Sequence, residues 1–530
     1  MNPKHVYLNE YQVQMQDGIT YLPYASGLLA AYAKANLLSG EFEFHINEPI
    51  LHVPYAVAVS VSLWNRNAGI SAAQQIGSQY LKCRFIFGGP SSEEFSHHIS
   101  GEGEASFLTW LTAPVDHCPI QVSIIKDIDD LPSPYLTGVF DSIVATRRRC
   151  QAIIETMRGC PFQCAYCSWG KGEKKIRLHS LNYIKEEAEW MGINKIPYVF
   201  CADGNFGMLP RDPEVARIFA RVKQKYGYPE KFRVCYGKNA EDTIFETASI
   251  LAEAGLAKTV TISRQSTNPA TLAAIGRQNV SQETFTNLQA RYHVAKIPTY
   301  TELILGLPEE TYQSFADGIQ KSIEHFSTQL LIYPCEVLPS TRLAEPEYQV
   351  RYGIKVKQTL LTPVHALPLS PREYEDIIIG TKAMPTEDWR KAFVLSRVVQ
   401  LFYSLKVFDK FPLVPFYERL MDFTNLAQAP ILQSIILEFY NIANELIAGQ
   451  GRCQILPRFG SIYWEPEEAA FLTISEDKHK FYDELRLLFP NLIKTINIQE
   501  ENFPELEGDP VEFAKQTILY GRKNNMKAIA

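Results

Sequence analysis

The sequence predicts an α/β protein with three parts: an open, mostly parallel sheet domain, a partial (β/α) barrel and a mainly helical C-terminal region. Short apolar runs alternate with amphipathic stretches up to about residue 355, which is typical of parallel sheets whose strands are joined by helices. Beyond about residue 350 helical periodicity replaces this alternation. A chain of 530 residues also exceeds one hydrophobic core, so two to four domains are expected.

The first part, residues 1–130, is predicted to contain an open sheet. Strands are expected at 6–8, 56–62 and 84–87, with a helix at 27–38. Ligands of such sheets bind beyond the carboxyl ends of the strands, which places segments 63–67 and 88–90 on the binding edge. A polar, proline-bearing stretch within 112–145 predicts the linker to the next part, because proline resists both helix and inner strand.

The second part, residues 131–355, is predicted to be a partial (β/α) barrel, whose active site forms from the loops after the strands. The third part, residues 356–530, is predicted to be a helical cap that shapes the substrate pocket. The sequence indicates barrel strands at 152–156, 196–202, 232–236, 259–263 and 300–305, barrel helices at 212–226 and 242–254, and cap helices at 373–382, 388–405, 430–448 and 466–489.

Composition excludes several classes of function. The formal net charge of −7 leaves no basic excess for nucleic acid. No apolar run of about 18 residues or more predicts a membrane span, and the first residues lack the apolar stretch of a signal peptide. We therefore expect a cytoplasmic protein without nucleic-acid or membrane partners. Scattered single cysteines are expected to be reduced core thiols, namely Cys83, Cys118, Cys150, Cys201, Cys235, Cys335 and Cys453.

Three further cysteines, Cys160, Cys164 and Cys167, are clustered with the spacing C-x3-C-x2-C. Clustered cysteines in an intracellular chain bind metal or catalyse far more often than they remain inert. If the three thiolates hold a [4Fe–4S] cluster, one iron lacks a protein ligand and is open to chemistry. A structural zinc site is the weaker interpretation, because it requires four ligands and only His179 follows within twenty residues.

These cysteines and several motifs after them resemble the radical S-adenosylmethionine (SAM) superfamily, and within it the cobalamin-binding group that includes many methyltransferases. The resemblance covers roughly residues 1–355. It implies that the three cysteines bind a [4Fe–4S] cluster whose free iron chelates SAM. It also implies that residues at the strand ends contact SAM. The motifs that carry it are Tyr166 before the last cysteine, 202–207, 211–212, 238–239, 263–266, 302–308 and 338–339, and the expected SAM contacts are Tyr166, Asp203, Asn205, Lys238, Gln265 and Glu302.

In the first part the resemblance implies a Rossmann-like domain that binds cobalamin. The histidine motif with which other cobalamin proteins ligate cobalt, Asp-x-His-x-x-Gly, is absent from the sequence. Cobalt is therefore expected to lack a protein histidine, with the loop around Trp64 near the lower face of the corrin. Gly88, Gly89, Gly101 and Gly103 carry no Cβ and would let the backbone approach a bulky cofactor. The expected cobalamin contacts are Trp64, Asn65, Arg66, Gly88, Gly89, Pro90, Glu102, Gly103 and Glu104.

Two positions depart from the superfamily pattern. The usual Gly-Gly-Glu-Pro segment is replaced by residues 203–206, a variant similar to those in the cobalamin group. Arg264 stands where an apolar residue is more usual. It could pair with a carboxylate of the substrate or cofactor, or with Glu302.

The resemblance favours a C-methyltransferase that acts on an unactivated carbon of a peptide or specialised metabolite. A flavodoxin- or ferredoxin-type protein would supply electrons. One SAM would methylate cobalamin and a second would yield the radical that removes hydrogen from the substrate. Two alternatives remain open: a radical SAM enzyme that epimerises or rearranges its substrate while cobalamin is structural or redox-active, and a nonenzymatic sensor of oxygen or iron. The sequence does not identify the substrate, and a tetrapyrrole precursor or a lipid precursor is also open.

Overall fold

The computed structural model describes residues 3–13, 20–114, 124–146, 150–169, 175–237, 241–257, 259–324, 329–408, 412–422, 426–490 and 500–519. The chain forms two compact units. The first consists of Met1–Gln163, Cys167–Ala257 and Leu369–Glu373. The second consists of Cys164–Tyr166, Lys258–Pro368 and Tyr374–Ala530. This division cuts the chain differently from the three predicted domains, whose boundaries stay a prediction.

The first unit contains two parallel sheets and a short antiparallel ribbon. Its strands are β1 Lys4–Asn9, β2 Thr20–Tyr21, β3 Phe42–Ile46, β4 Pro54–Ser60, β5 Arg84–Gly88, β6 Cys150–Ile154, β7 Met157–Arg158, β8 Arg177–Leu178, β9 Tyr198–Cys201 and β10 Lys231–Arg233. Its helices are α1 Tyr24–Asn36, α2 Arg66–Gln79, α3 Glu104–Thr112, α4 Asp141–Thr146, α5 Leu181–Ile193, α6 Asp212–Tyr226 and α7 Glu241–Glu253.

The N-terminal sheet has the strand order β3-β1-β4-β5, and all of its pairs are parallel. The central strand β4 is apolar on both faces, as expected for a strand covered on both sides. The edge strand β3 is not among the strands predicted from the sequence. It is a five-residue segment in which Glu43 and His45 alternate with apolar residues, as is typical of a half-exposed strand. The C-terminal ends of β4 and β5 meet at one edge, which brings Ser60 and Gly88 into register.

The second sheet of the first unit has the order β10-β9-β6-β2, and its pairs are also parallel. The predicted helix at 212–226 is confirmed as α6. Pro213 suits the first turn of this helix, and Gly227 ends it in the left-handed conformation at φ +78°. The ribbon of β7 and β8 pairs Arg158 with Arg177 and encloses the cysteine segment of the sequence.

The second unit begins with the parallel sheet β11-β12-β13 and continues into helices. Its strands are β11 Val260–Thr261, β12 Thr299–Leu305, β13 Gln329–Pro334, β14 Lys355–Leu360, β15 Tyr374–Gly380, β16 Gln454–Ile455 and β17 Tyr463–Trp464. Its helices are α8 Pro269–Ala274, α9 Gln282–Val294, α10 Tyr312–Ile323, α11 Pro346–Tyr352, α12 Thr386–Val399, α13 Val414–Leu420, α14 Pro430–Ala448, α15 Pro466–Glu476, α16 Lys478–Leu488 and α17 Pro510–Ala514.

Two of the predicted C-terminal helices differ in the structure. The helix predicted at 373–382 is wrong: β15 pairs there with β14 in an antiparallel ribbon. The run Ile377-Ile378-Ile379 explains the error, because β-branched residues favour strands. The helix predicted at 466–489 is two helices, since Asp477 at φ −151° leaves the helical conformation and its carboxylate accepts from the Lys480 N–H. Among the described helices none combines the length and apolarity needed to cross a membrane.

Candidate functional site

The cysteine segment leaves β7 through Gly159, which adopts φ +101°. Cys160 is buried, Cys164 is half-buried and Cys167 is exposed, and none of the three forms a disulfide. Cys160 and Cys167 belong to the first unit and Cys164 to the second. Three reduced cysteines at this sequence spacing suit the donor set that a [4Fe–4S] cluster requires.

Two contacts within the second unit hold the middle of the cysteine segment. The Ala165 N–H donates to the Ile275 carbonyl at 2.9 Å. The Tyr166 hydroxyl accepts from Arg277 Nη1 at 2.7 Å. Burial raises the pKa of Tyr166 well above its usual value, although Arg277 acts against this. Tyr166, expected to contact SAM, is therefore a neutral hydroxyl that positions the segment.

Asp203 anchors the turn that leads into the cysteine segment. One carboxylate oxygen accepts from the Thr156 N–H at 2.8 Å and the Met157 N–H at 3.1 Å. The other oxygen accepts from the Thr156 hydroxyl. Burial raises the pKa of Asp203 to about 6, while these hydrogen bonds act to lower it. The contact between Asp203 and SAM stays a prediction, and the structure gives this side chain a positioning role.

Asn205 reaches the first cysteine directly. Its Nδ2 donates to Cys160 Sγ at 3.2 Å, and both residues are buried. Next to it, Gly204 lies under Trp169: a Cβ on this glycine would lie 3.1 Å from Trp169 Cδ1. The variant of the Gly-Gly-Glu-Pro segment therefore supplies an amide hydrogen bond to a predicted cluster ligand.

A network of buried charges lies at the base of the cysteine segment. Arg158 contacts Glu155 at 2.8 Å, Glu104 at 3.0 Å and Glu102 at 3.5 Å. Arg177 pairs with Glu102 as well. Burial acts to lower the pKa of Arg158, but Glu155 and Glu104 raise it further, so the guanidinium stays charged. Glu102 and Glu104, expected to contact cobalamin, thus hold the loop 101–104 against β7.

A cavity of about 360 Å³ opens within the first unit at the carboxyl edge of the N-terminal sheet. Its wall is mostly apolar and includes Leu8, Ala58, Ile86 and Phe107. The wall also includes three glycines that the sequence places near cobalamin, Gly88, Gly89 and Gly103. The charged network described above contributes Glu102, Glu104, Glu155 and Arg158 to the same wall. The volume lies in the range of small-molecule pockets and suits a part of a cobalamin molecule.

The glycines around this cavity have different physical roles. Gly89 adopts φ +99°, and a Cβ there would lie 2.5 Å from the Val61 carbonyl oxygen. A Cβ on Gly88 would meet nothing within 4 Å, so this glycine leaves open space. Only Gly88 therefore has the character of a position kept clear for a ligand. Pro90 is exposed after the turn.

The loop 64–66 combines one fixed and one exposed side chain. Asn65 is 2% exposed; its Oδ1 accepts from the Ser62 N–H at 2.7 Å and its Nδ2 donates to the Tyr11 carbonyl at 2.8 Å. Arg66 pairs with Glu94. Trp64 is 47% exposed, which is unusual for so large an apolar side chain and leaves it available to a ligand. Asn65 therefore fixes the loop that presents Trp64, and its contact with cobalamin stays a prediction.

Sequence reasoning missed Glu373, which caps α2 in the first unit. Its two carboxylate oxygens accept from the Asn67 and Ala68 N–H groups, each at 2.9 Å. A carboxylate at this position accepts hydrogen bonds from N–H groups that have no partner within the helix. Its negative charge also interacts favourably with the positive end of the helix dipole. The sequence predicts a helix at 373–382, where Glu373 lies. No local pattern indicates that this residue caps a helix about 300 residues earlier in the sequence.

In the second unit the predicted SAM residues lie on neighbouring strands. Glu302 in β12 accepts from the Ser263 hydroxyl. Gln265 adopts φ +63°, and its carbonyl accepts from the Ile304 N–H at 2.9 Å, which extends the pairing beyond β11. Lys238, also expected to contact SAM, lies outside the described residues.

Arg264 does not show the predicted pairing with Glu302 in the part of the chain that the structure describes. Its guanidinium lies 4.4 Å from the centre of the Phe285 ring in α9. Arg264 is buried, and desolvation lowers its pKa to about 10. It lines a separate cavity between helices together with Lys321 and Arg277.

Comparison with known proteins identifies the family. The model of the radical SAM superfamily matches residues 154–321, a span that contains the three cysteines, Asp203, Asn205, Gln265 and Glu302. The cobalamin-dependent radical SAM methyltransferase TokK of Streptomyces tokunonensis is 28% identical over 97% of this chain and 84% of its own length. The chain therefore contains a radical SAM domain, and along nearly its whole length it is similar to cobalamin-dependent radical SAM methyltransferases.

Two further relatives extend the comparison of this radical SAM methyltransferase. The 2-(S-pantetheinyl)-carbapenam-3-carboxylate methyltransferase of Streptantibioticus cattleyicolor is 29% identical over 92% of this chain and 82% of its own length. Among solved structures, the radical SAM methyltransferase TsrM from Kitasatospora setae, with tryptophan and a SAM analogue bound, has a TM-score of 0.54 and 16% identity. That match covers 84% of this chain and 99% of TsrM. At this identity the TsrM likeness shows the fold alone.

The family confirms the predicted cofactors and the predicted class of enzyme. Members require a [4Fe–4S] cluster, SAM and cobalamin, so the sensor alternative is set aside. The residues described above fit these groups: three reduced cysteines for the cluster, and a glycine-lined cavity for part of cobalamin. The individual contacts to SAM and cobalamin stay predictions.

Proposed function

We propose that this enzyme methylates an unactivated sp3 carbon of a small specialised metabolite, and that the substrate is a bicyclic β-lactam carboxylate or a close analogue. A radical route suits such a carbon, because it has no lone pair with which to attack a sulfonium. The proposal narrows the sequence-based expectation of a peptide or specialised metabolite. A peptide substrate is the competing possibility.

The extent of the similarity carries the proposal. The radical SAM match ends at residue 321, yet the carbapenam methyltransferase aligns with 92% of this chain. The alignment must therefore include most of the helical C-terminal region, which we expect to shape the substrate pocket. Likeness confined to the cluster-binding part would have supported radical chemistry without supporting a substrate class.

The chain's own residues have separable tasks in this reaction. When bound, the cluster with SAM supplies a substrate radical and cobalamin supplies the methyl group. Asp203 holds the turn before Cys160, and Asn205 donates to the thiol itself. Arg158 ties the wall of the cobalamin cavity to that same turn. Trp64 is an exposed aromatic that would contact cobalamin, and its indole ring would not coordinate cobalt.

The test is anaerobic incubation of the cluster- and cobalamin-loaded enzyme with reductant and SAM labelled in its methyl group. Carbapenam carboxylates with and without a pantetheinyl thioether, tryptophan and short peptides are offered in parallel. Mass spectrometry detects labelled product, and chromatography measures S-adenosylhomocysteine and 5′-deoxyadenosine. We expect a labelled carbapenam and one molecule of each nucleoside product per methyl added.

Other results would lead elsewhere. Deoxyadenosine with an isomerised but unlabelled substrate would support the epimerase or rearrangement alternative. Labelled tryptophan or peptide without labelled carbapenam would refute the proposed substrate class but keep the methyltransferase.

A further inference from the structure

Three histidines and two glutamates gather where β1 meets the edge strand β3. His5 and Glu43 are paired neighbours in these two strands, and His45 lies opposite Tyr7. His52 stacks on His5 with ring centres 4.2 Å apart and planes 10° apart. The proposed reaction gives no task to this group of histidines and glutamates. Leu8 in β1 lines the cofactor cavity, whereas His5, three residues earlier, lies on the opposite face by strand alternation.

The ligand atoms of this cluster have the separations of a metal site. His5 Nδ1 lies 3.0 Å from His45 Nε2 and 3.4 Å from Glu43 Oε2. All three atoms lie within 4.8 Å of one another. For bonds of about 2.0–2.1 Å to nitrogen or oxygen, tetrahedral geometry places ligand atoms roughly 3.3 Å apart. The two separations from His5 Nδ1 are already close to this value, and the third, between His45 Nε2 and Glu43 Oε2, is at most 4.8 Å. One ion can therefore bind all three atoms after a side-chain adjustment of Glu43, which is half exposed.

The surroundings of His45 strengthen this geometry. Its second ring nitrogen, Nδ1, lies 3.0 Å from Glu48 Oε2. A carboxylate that accepts from the far nitrogen of a histidine fixes the tautomer whose near nitrogen binds metal, an arrangement common around zinc. His45 also stacks on Tyr7 at 4.6 Å, which fixes the plane of the ring. Both His5 and His45 are largely shielded from solvent.

We propose that His5 Nδ1, His45 Nε2 and Glu43 Oε2 form a binding site for a first-row divalent cation of the zinc type. Two imidazoles and one carboxylate suit Zn²⁺ better than Ca²⁺ or Mg²⁺, which prefer oxygen ligands. Water completes the coordination, and both histidines bind as neutral rings. The ion fastens edge strand β3 to β1 at a site distinct from the iron–sulfur cluster.

Without metal the same atoms can share a proton, because His5 Nδ1–H can donate to His45 Nε2. Binding then requires His5 to move its proton to Nε2, which releases no net proton.

The test uses the full chain with its [4Fe–4S] cluster loaded anaerobically, so that Cys160, Cys164 and Cys167 are occupied. Zn²⁺ is added in excess and removed by gel filtration, and zinc per chain is measured by mass spectrometry. We expect one zinc per wild-type chain. We also expect an anomalous peak at the zinc edge between His5 and His45 in crystals.

Matched variants separate ligation from folding. His45→Gln should abolish zinc binding, and Glu48→Gln should weaken it about 10–100-fold, as loss of an outer partner does. His97→Ala changes an exposed histidine outside this group of histidines and glutamates, and the variant should still bind one zinc per chain. Circular dichroism spectra must be native in all three variants. Equal zinc in wild type and a folded His45→Gln variant, or a peak only at the cysteines, would overturn the proposal.

Discussion

Asn205 Nδ2 donates a hydrogen bond to the sulfur of Cys160 at 3.2 Å, and both residues are buried in the first unit. Cys160 is the first of the three predicted cluster ligands. Hydrogen bonds to ligand sulfurs stabilise the more electron-rich state of an iron–sulfur cluster and so raise its reduction potential. If Cys160 binds the cluster as predicted, the segment that replaces the common Gly-Gly-Glu-Pro motif would therefore tune the cluster's reduction potential through Asn205.

Replacement of Asn205 by Leu should lower the reduction potential of the [4Fe–4S] cluster. One net hydrogen bond is worth roughly 0.5–1.5 kcal/mol, which corresponds to a shift of about 20–60 mV. Redox titration followed by electron paramagnetic resonance measures the shift. Asn182→Leu, on the exposed side of α5, is the control and should leave the potential unchanged. An unchanged potential in a fully loaded Asn205→Leu enzyme would contradict the assignment.

Replacement of Asp203 by Ala should remove the anchor of the turn at Thr156 and Met157. Two buried N–H groups would lose their acceptor, and each such loss costs about 1–3 kcal/mol. We expect lower stability and incomplete cluster loading, measured by denaturant unfolding and by iron content. Asp203→Asn retains one acceptor oxygen and should load normally. Full loading and native stability of Asp203→Ala would show that the turn holds without it.

The pH dependence of stability should report the buried charge of Asp203. Its folded-state pKa is about 6, above the ordinary value of 3.8, so the folded state binds more protons in this range. The contribution of Asp203 is therefore most favourable at low pH and is lost as pH rises from about 4 to about 6. Relative to Asp203→Asn, the wild type should lose up to about 3 kcal/mol over that interval. Parallel unfolding curves for the two proteins would contradict the raised pKa.

Replacement of Arg158 by Met should leave Glu102, Glu104 and Glu155 without their shared cation. Breaking a buried ion pair from one side costs about 3–5 kcal/mol. Because these groups line the cofactor cavity, cobalamin affinity should fall as well, measured by absorbance titration. Arg217→Met removes an exposed partner of Glu246 and should cost no more than about 1 kcal/mol. Similar effects of the two substitutions would contradict the role of the network.

The adjacent glycines Gly88 and Gly89 should respond differently to alanine. Gly89→Ala forces a side chain into a left-handed conformation and against the Val61 carbonyl, which should cost at least about 1–2 kcal/mol. Gly88→Ala meets open space and should change stability by less than about 0.5 kcal/mol. If Gly88 faces cobalamin, its variant should nevertheless bind the cofactor more weakly. Equal stability of the two variants would contradict the local geometry.

Strong local signals allowed some elements to be predicted from the sequence. Helices 212–226 and 430–448 match α6 and α14 at both ends, because proline marks their first turn and a left-handed glycine follows their last. The sequence predicts a helix where β15 lies, and it predicts neither β3 nor β13. These short strands are stabilised by pairing with their neighbours, which a local sequence pattern does not reveal.

The sequence by itself predicted the class of chemistry of this protein, because the spacing of Cys160, Cys164 and Cys167 is typical of a cluster ligand set wherever the chain places it. Only the tertiary structure decided what each surrounding polar residue does. Asn65, Glu102 and Asp203, which the sequence places near cofactors, bind backbone groups or arginines of the protein itself, and their cofactor contacts stay predictions. Their partners are chosen by burial, since a buried polar group must find the nearest available donor or acceptor. That neighbour is set by folding and not by position in the sequence.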